Sequence, residues 1–176
     1  MVRAIGHVGK PIESGRRAVV RCAFLALGIA ALPLIAVADP ATEVRVVHQR
    51  TDFSASRAEH MFRFEPQTLR LEPGEAVAFM NSLGDHTVRA QKGLWPDGVT
   101  RVDIRGRART EVVFDTPGLY GITCARHGRY GMSMLIAVGE EGLEAARNLD
   151  IEDIPATDMA RRAYEAQRVQ ILADGS

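Results

Sequence analysis

A short run in the second half of the chain, CARHGRYGM, constrains this sequence more than any other feature. It contains Cys124, His127 and Met132 at the spacing Cys-x-x-His-x-x-x-x-Met, and another histidine, His86, lies upstream in the run GDHTV. A thiolate, two imidazoles and a weakly bound thioether are the donor set of trigonal blue-copper sites. One short loop and one distant strand must then meet at the same end of the fold. The pattern predicts a copper electron-transfer site with His86, Cys124, His127 and Met132 as ligands.

Each of these four residues has a simpler interpretation when it is taken alone. A lone cysteine at a strand end is commonly a small buried hydrophobic side chain, and the histidines and the methionine can belong to the core. Cys124 and His127 can also be the nucleophile and base of a hydrolase, although nothing nearby orients the histidine and Met132 stays unexplained. Structural zinc prefers a closed set of strong ligands without methionine. All four residues together, in this order, favour copper.

The amino-terminal part of the chain predicts export. A basic stretch that ends at Arg21 precedes an apolar run over residues 23–38, which closes on an Ala-x-Ala sequence at Ala38. This is the pattern of a secretory signal peptide cleaved after Ala38. The pair Arg16-Arg17 also resembles a twin-arginine signal. Either route predicts that residues 1–38 are removed and that the protein is periplasmic, with no stable membrane anchor.

The remaining 138 residues are enough for one domain with a hydrophobic core. Their net charge is about −4, which gives no support for binding nucleic acid. Cys124 is the only cysteine after residue 38. In an oxidising compartment a cysteine without a partner is either inert in the core or bound to something, and copper would bind it.

Residues 39–139 have the pattern of an all-β domain, and residues 140–176 have the pattern of a helical extension packed on it. Short apolar and alternating segments are separated by Pro-Gly turns, which favours a Greek-key β-sandwich. The predicted strands include residues 44–47, 61–65, 68–71, 76–80, 109–114, 119–124 and 132–138. A loop over residues 81–85 is predicted to lead into His86.

The carboxyl-terminal tail predicts two helices, over residues 140–148 and 156–172. Both segments are rich in Ala, Glu, Arg and Leu. Thr157 can cap the second helix, and Pro155 lies at the break that precedes it.

From residue 61 to residue 139 the sequence resembles the cupredoxins, and among them the pseudoazurins most closely. The matching runs occur in family order, and they are FEP, EPGE, WPDG, TPGLYG and the Cys124–Met132 loop. Plastocyanins share the ligand spacing but end after the last strand. The resemblance implies a sandwich of about eight strands with two carboxyl-terminal helices. It also implies one type 1 copper ion bound by His86, Cys124, His127 and Met132.

The resemblance further implies a protein that is not an enzyme. It implies a monomeric periplasmic carrier that passes single electrons in transient complexes with redox proteins, such as copper nitrite reductase or c-type cytochromes. Four protein ligands leave no open position at the metal for a substrate. The alternative is a copper-trafficking protein with the same fold, in which the metal is cargo. Cations near the predicted site, namely Arg89, Lys92, Arg126 and Arg129, are expected to form a basic ring that attracts an acidic partner.

Three residues depart from the family pattern. Thr87 replaces the usual Asn after the first histidine, and Ala125 replaces the usual Ser or Thr after the cysteine, so the side-chain tie between the two loops is either weakened or rebuilt. The backbone N–H of Thr87 is expected to reach the Cys124 sulfur. Arg126 replaces the usual Pro before the second histidine.

Overall fold

Seven strands and two helices make up the part of the chain that the computed structural model describes, which is residues 41–48 and 62–174. The strands are β1 (Thr42–His48), β2 (Phe62–Glu65), β3 (Thr68–Leu71), β4 (Glu75–Ala90), β5 (Asp103–Phe114), β6 (Gly118–Thr123) and β7 (Ser133–Val138). The helices are α1 (Gly139–Arg147) and α2 (Asp158–Ala173), and short 3-10 turns lie at Gly128–Tyr130 and Ile151–Asp153. The predicted signal peptide and its cleavage site lie outside the described residues.

The strands form one hydrogen-bonded, curled sheet in the order β2-β1-β4-β6-β7-β3, with β5 paired to β4. The pairs β1–β4 and β3–β7 are parallel, and the other pairs are antiparallel. Strands that are distant in sequence are therefore neighbours in the sheet, as the Greek-key prediction requires. The predicted fold class, an all-β cupredoxin domain with two carboxyl-terminal helices, is confirmed.

Strand β4 differs from the prediction because it continues through the segment expected to be a loop. Ser82 pairs with Arg107 and Thr87 with Arg105, so β4 advances by five residues while β5 advances by two. The extra residues form a bulge, and the backbone reaches positive φ at Asn81 (62°) and at Gly84 (61°). Bulges of this kind redirect a strand and its side chains. Here the bulge ends at His86, and pairing with β5 resumes at Thr87.

The inner face of the curled sheet encloses the main hydrophobic core. Trp95, Phe114 and Tyr120 form edge-to-face contacts, with ring centroids 4.8 Å apart for Trp95 and Tyr120 and 5.0 Å apart for Phe114 and Tyr120. The Tyr120 hydroxyl donates to the Thr116 carbonyl at 2.6 Å. Cys124 and Met132 belong to this same cluster, so the predicted metal loop closes one edge of the core.

The two helices pack on the outer face of β6 and β7 over a second apolar cluster. From α2, the buried Tyr164 hydroxyl donates to the Ile122 carbonyl at 2.8 Å. The Thr157 hydroxyl accepts from the Ala160 N–H at 3.3 Å, which confirms the predicted amino-terminal cap of α2. Neither helix, nor any other among the described residues, is long and apolar enough to cross a membrane.

Candidate metal centre

The loop between β6 and β7 is short and internally hydrogen-bonded. The Cys124 N–H donates to the Met132 carbonyl at 3.2 Å, so the antiparallel pairing of the two strands extends into both ends of the loop. Within the loop, the Gly128 N–H donates to the Cys124 carbonyl at 2.7 Å, and the Met132 N–H donates to the His127 carbonyl at 3.3 Å. Gly131 has a φ of 90°, a conformation that favours glycine and lets the chain turn back into β7. The local backbone therefore sets where the cysteine, histidine and methionine lie.

Three of the four predicted ligands meet in space. The donor atoms of His86, Cys124 and His127 all lie within 4.8 Å of one another. The Cys124 Sγ and the His127 Nδ1 are 3.7 Å apart. A sulfur and a nitrogen that share a first-row metal ion at the usual bond lengths lie roughly 3.5–4 Å apart. The spacing of these donors therefore fits a single metal ion.

The three side chains are also shielded from water. Relative exposure is 9% for His86, 2% for Cys124 and 8% for His127. A buried set of one thiolate and two imidazoles matches the trigonal donor set of blue-copper sites, and copper fits these residues by their chemistry.

Met132, the fourth predicted ligand, is wholly buried beside the other loop residues. Its side chain is 0% exposed and belongs to the same apolar cluster as Cys124. Backbone hydrogen bonds join it to both Cys124 and His127. Its thioether as a weak axial ligand stays a prediction.

Thr87 and Ala125, which differ from the usual residues of the family, still connect the two ligand-bearing segments through hydrogen bonds. The Thr87 hydroxyl accepts from the Ala125 N–H at 2.8 Å and donates to the Cys124 sulfur at 3.9 Å. One hydroxyl thus does both tasks, since it has one proton to donate and lone pairs that accept. The predicted contact from the Thr87 backbone N–H to the sulfur is not among the described hydrogen bonds. The side chain makes the contact instead.

A second link joins the residues that precede the two histidines. Arg126 and Asp85 form an ion pair at 2.9 Å, and both side chains are more than 60% exposed. Exposed pairs of this kind contribute little to stability. The ion pair nevertheless neutralises the positive charge of Arg126 at the surface of the site.

The predicted basic ring is therefore partly neutralised. Arg89 lies 3.5 Å from an Asp103 carboxylate oxygen, in addition to the pair between Arg126 and Asp85. The Arg129 guanidinium lies over the Tyr130 ring, 4.9 Å from its centroid. Two members of the predicted basic ring, Arg129 and the exposed Lys92, do not occur in any of the described ion pairs.

Phe62 is a residue of the site that sequence analysis missed. Its ring is stacked on the His127 imidazole, with centroids 3.9 Å apart and planes inclined by 8°. It also lies 5.9 Å from the His86 ring, and the two imidazole centroids are 4.7 Å apart. The alternating pattern of β2 predicts a strand there, but no local signal connects Phe62 with a histidine 65 residues later.

Comparisons with known proteins agree with this geometry. The family model described as copper-binding proteins of the plastocyanin/azurin family matches residues 51–139. The chain is 37% identical to a pseudoazurin of Methylorubrum extorquens over 91 residues. This aligned region covers 51% of this chain and 62% of that protein. It is also 30% identical to a pseudoazurin of Paracoccus pantotrophus over 155 residues. That alignment covers 82% of this chain and 96% of the relative. The aligned region thus spans less than two thirds of the first relative and nearly all of the second.

Solved structures show the same similarity. The crystal structure of pseudoazurin from Methylobacterium extorquens AM1 superposes with a TM-score of 0.59 at 27% identity, covering 75% of this chain and 99% of that one. The pseudoazurin of Hyphomicrobium denitrificans superposes with a TM-score of 0.60 at 23% identity, covering 74% and 98%, which supports the fold alone.

Proposed function

Because the chain belongs to the pseudoazurins, within the plastocyanin/azurin family of copper-binding proteins, we propose that it is a type 1 blue-copper electron carrier. The observation that carries the proposal is the buried cluster of His86, Cys124 and His127, whose donor atoms lie within 4.8 Å of one another. When bound there, copper supplies a centre that alternates between Cu(I) and Cu(II). Met132 is proposed as the fourth, weak ligand.

The protein contributes a rigid and water-poor setting. Electron transfer is fast when the oxidised and reduced sites differ little in geometry, so the ligands must stay in place in both states. The hydrogen bonds within the 124–132 loop and the tie through the Thr87 hydroxyl hold them. This arrangement favours a carrier over an enzyme, since the proposed ligand set leaves no open position for a substrate.

A copper-trafficking protein with the same fold is the second candidate function, because such a protein could bind copper with the same set of residues. The two functions predict different behaviour of the copper-loaded chain. A carrier is expected to give a reversible one-electron wave in voltammetry and to retain Cu(I) against a stoichiometric chelator such as bicinchoninate. An irreversible wave together with prompt transfer of Cu(I) to the chelator would favour trafficking and reject the carrier.

We further propose that the carrier works in the periplasm and transfers electrons to a copper nitrite reductase or a c-type cytochrome. The amino-terminal sequence supports the location, and the family supports the class of partner. Arg129 lies on the metal loop, with its guanidinium over the Tyr130 ring. Its positive charge supports attraction to an acidic docking face on the partner.

The partner proposal predicts a salt-dependent reaction. Stopped-flow oxidation of the reduced chain by a copper nitrite reductase is expected to slow as ionic strength rises, because salt screens charges beyond about 8–10 Å at 0.1–0.15 M. Arg129→Gln is expected to reduce both the rate at low salt and its salt dependence. The matched control is Arg162→Gln, which removes the same charge from an exposed position on α2. Electron-transfer rates that do not change with ionic strength in the unmodified chain, in Arg129→Gln and in Arg162→Gln would contradict the proposed docking.

A further inference from the structure

Among the described residues, the stacked pair of Phe62 and His127 has the shortest ring-to-ring distance at the metal centre. The centroid distance of 3.9 Å and the angle of 8° place the two ring planes in direct van der Waals contact. Phe62 comes from β2, a strand that provides none of the four predicted ligands. Its ring contacts the site mainly through the His127 imidazole that it covers, with the His86 ring farther away at 5.9 Å.

The position of Phe62 is set by its strand and not by the metal loop. Phe62 and Phe64 share one face of β2, and Phe64 is fully buried in the core cluster. The strand pairs with β1 in a register that opposes Phe64 to Val46, which is also buried. The buried pair of Phe64 and Val46 anchors β2, and β2 places the Phe62 ring over His127.

The electronic character of the pair favours the metal-bound imidazole. Two neutral aromatic rings prefer offset or edge-to-face contacts, because both ring faces carry partial negative charge. An imidazole that is bound to a cation is electron-poor, and the face of a phenyl ring attracts positive charge. A near-parallel contact at this distance is therefore expected to be more favourable when His127 is bound to copper than when it is not.

We propose that Phe62 is a positioning residue for His127: it holds the imidazole plane so that Nδ1 stays directed at the metal in both oxidation states. The loss of this ligand upon reduction would loosen the site, because Cu(I) accepts fewer ligands than Cu(II), and the stack opposes that loss. This inference rests on the proposed function, since it assigns Phe62 a role toward bound copper. It assigns no catalytic step to Phe62, which acts through His127.

The test compares three variants with the unmodified chain. Phe62→Leu keeps an apolar side chain but removes the ring, Phe62→Tyr keeps the ring, and Tyr130→Leu removes a ring that lies over Arg129 instead of over an imidazole. Transfer of Cu(I) to excess bicinchoninate is expected to be about two- to tenfold faster in Phe62→Leu, the range expected for one aromatic pair. Phe62→Tyr and Tyr130→Leu are expected to release copper at the original rate.

A second measurement does not depend on copper or on any variant. In the metal-free chain, the proton NMR signals of the His127 ring are expected to lie upfield of those of an unstacked histidine, because the protons sit in the shielding region of Phe62. Signals at unstacked positions, or equal copper release from Phe62→Leu and the unmodified chain, would overturn the proposal. Absence of an intense blue band would instead reject the carrier function, and the shielding of His127 would be unaffected by that result.

Discussion

Replacing Cys124 by serine is expected to abolish the intense visible absorption of the Cu(II)-loaded chain. That absorption arises from charge transfer between the cysteine thiolate and Cu(II), and a serine hydroxyl is a hard, neutral donor that copper in such a site does not favour. Cys124 is 2% exposed, and serine has the same shape with a slightly smaller end group, so the substitution removes the donor with little change in packing. The measurement is an absorption spectrum recorded during titration with Cu(II), followed by bleaching with ascorbate.

Two methionine variants serve as matched companions to this experiment. Met132 and Met134 are both fully buried in the same core cluster. Met132→Leu is expected to retain a band that is shifted in energy and intensity, because a weak axial ligand is lost while the three strong donors remain. Met134→Leu removes a buried sulfur outside the proposed ligand set and should leave the spectrum unchanged. A blue band that survives in Cys124→Ser would refute the assignment of the thiolate as a copper ligand.

Replacing Thr87 by valine is expected to weaken both the fold and the metal centre. Valine has nearly the shape of threonine but leaves the Ala125 N–H without the acceptor that now lies at 2.8 Å. This hydrogen bond is only partly buried, and a typical hydrogen bond contributes about 0.5–1.5 kcal/mol to stability, so the free energy of unfolding should fall by about that amount. Urea unfolding of the metal-free chain measures this change.

The same variant is expected to lower the reduction potential of the copper-loaded chain. The Thr87 hydroxyl donates to the Cys124 sulfur at 3.9 Å and so draws electron density from the thiolate. Without this donor the thiolate stabilises Cu(II) more strongly, and reduction becomes harder. Thr87→Ser is the control, since it keeps the hydroxyl and should retain both properties. An unchanged potential and stability in Thr87→Val would mean that the hydroxyl does not tie the two ligand segments.

The two helices illustrate how far local patterns can predict structure. The predicted boundaries, residues 140–148 and 156–172, differ from the observed helices by one or two residues at each end. Thr157 caps α2 as predicted, because a cap depends on a side chain and a backbone N–H three residues away. What brings α1 onto the sheet is not local: a Cβ at Gly142 would lie 2.6 Å from the Gly118 carbonyl oxygen, so only glycine permits this approach.

Strand β4 illustrates the opposite case. Its apolar residues and the polar run at 81–85 predict a strand followed by a loop, whereas the structure has one strand of 16 residues with a bulge. Continuity comes from pairing with β5 on both sides of the bulge, and the paired residues lie 14 to 39 positions apart in the sequence. Hydrogen bonding to a partner strand can override local turn chemistry, which is why strand boundaries are harder to predict than helix caps.

The amino-acid sequence alone predicts the chemistry of the metal centre: the candidate ligands His86, Cys124, His127 and Met132, and the short loop that carries three of them. This prediction is possible because a loop of nine residues leaves few ways to arrange its side chains and because soft and borderline donors favour copper. The surroundings of these side chains depend on the tertiary structure. The Thr87 tie, the pairing of Asp85 with Arg126 and the Phe62 ring over His127 all join segments at least 37 residues apart. Such contacts depend on the register and curl of the whole sheet, and no local pattern encodes them.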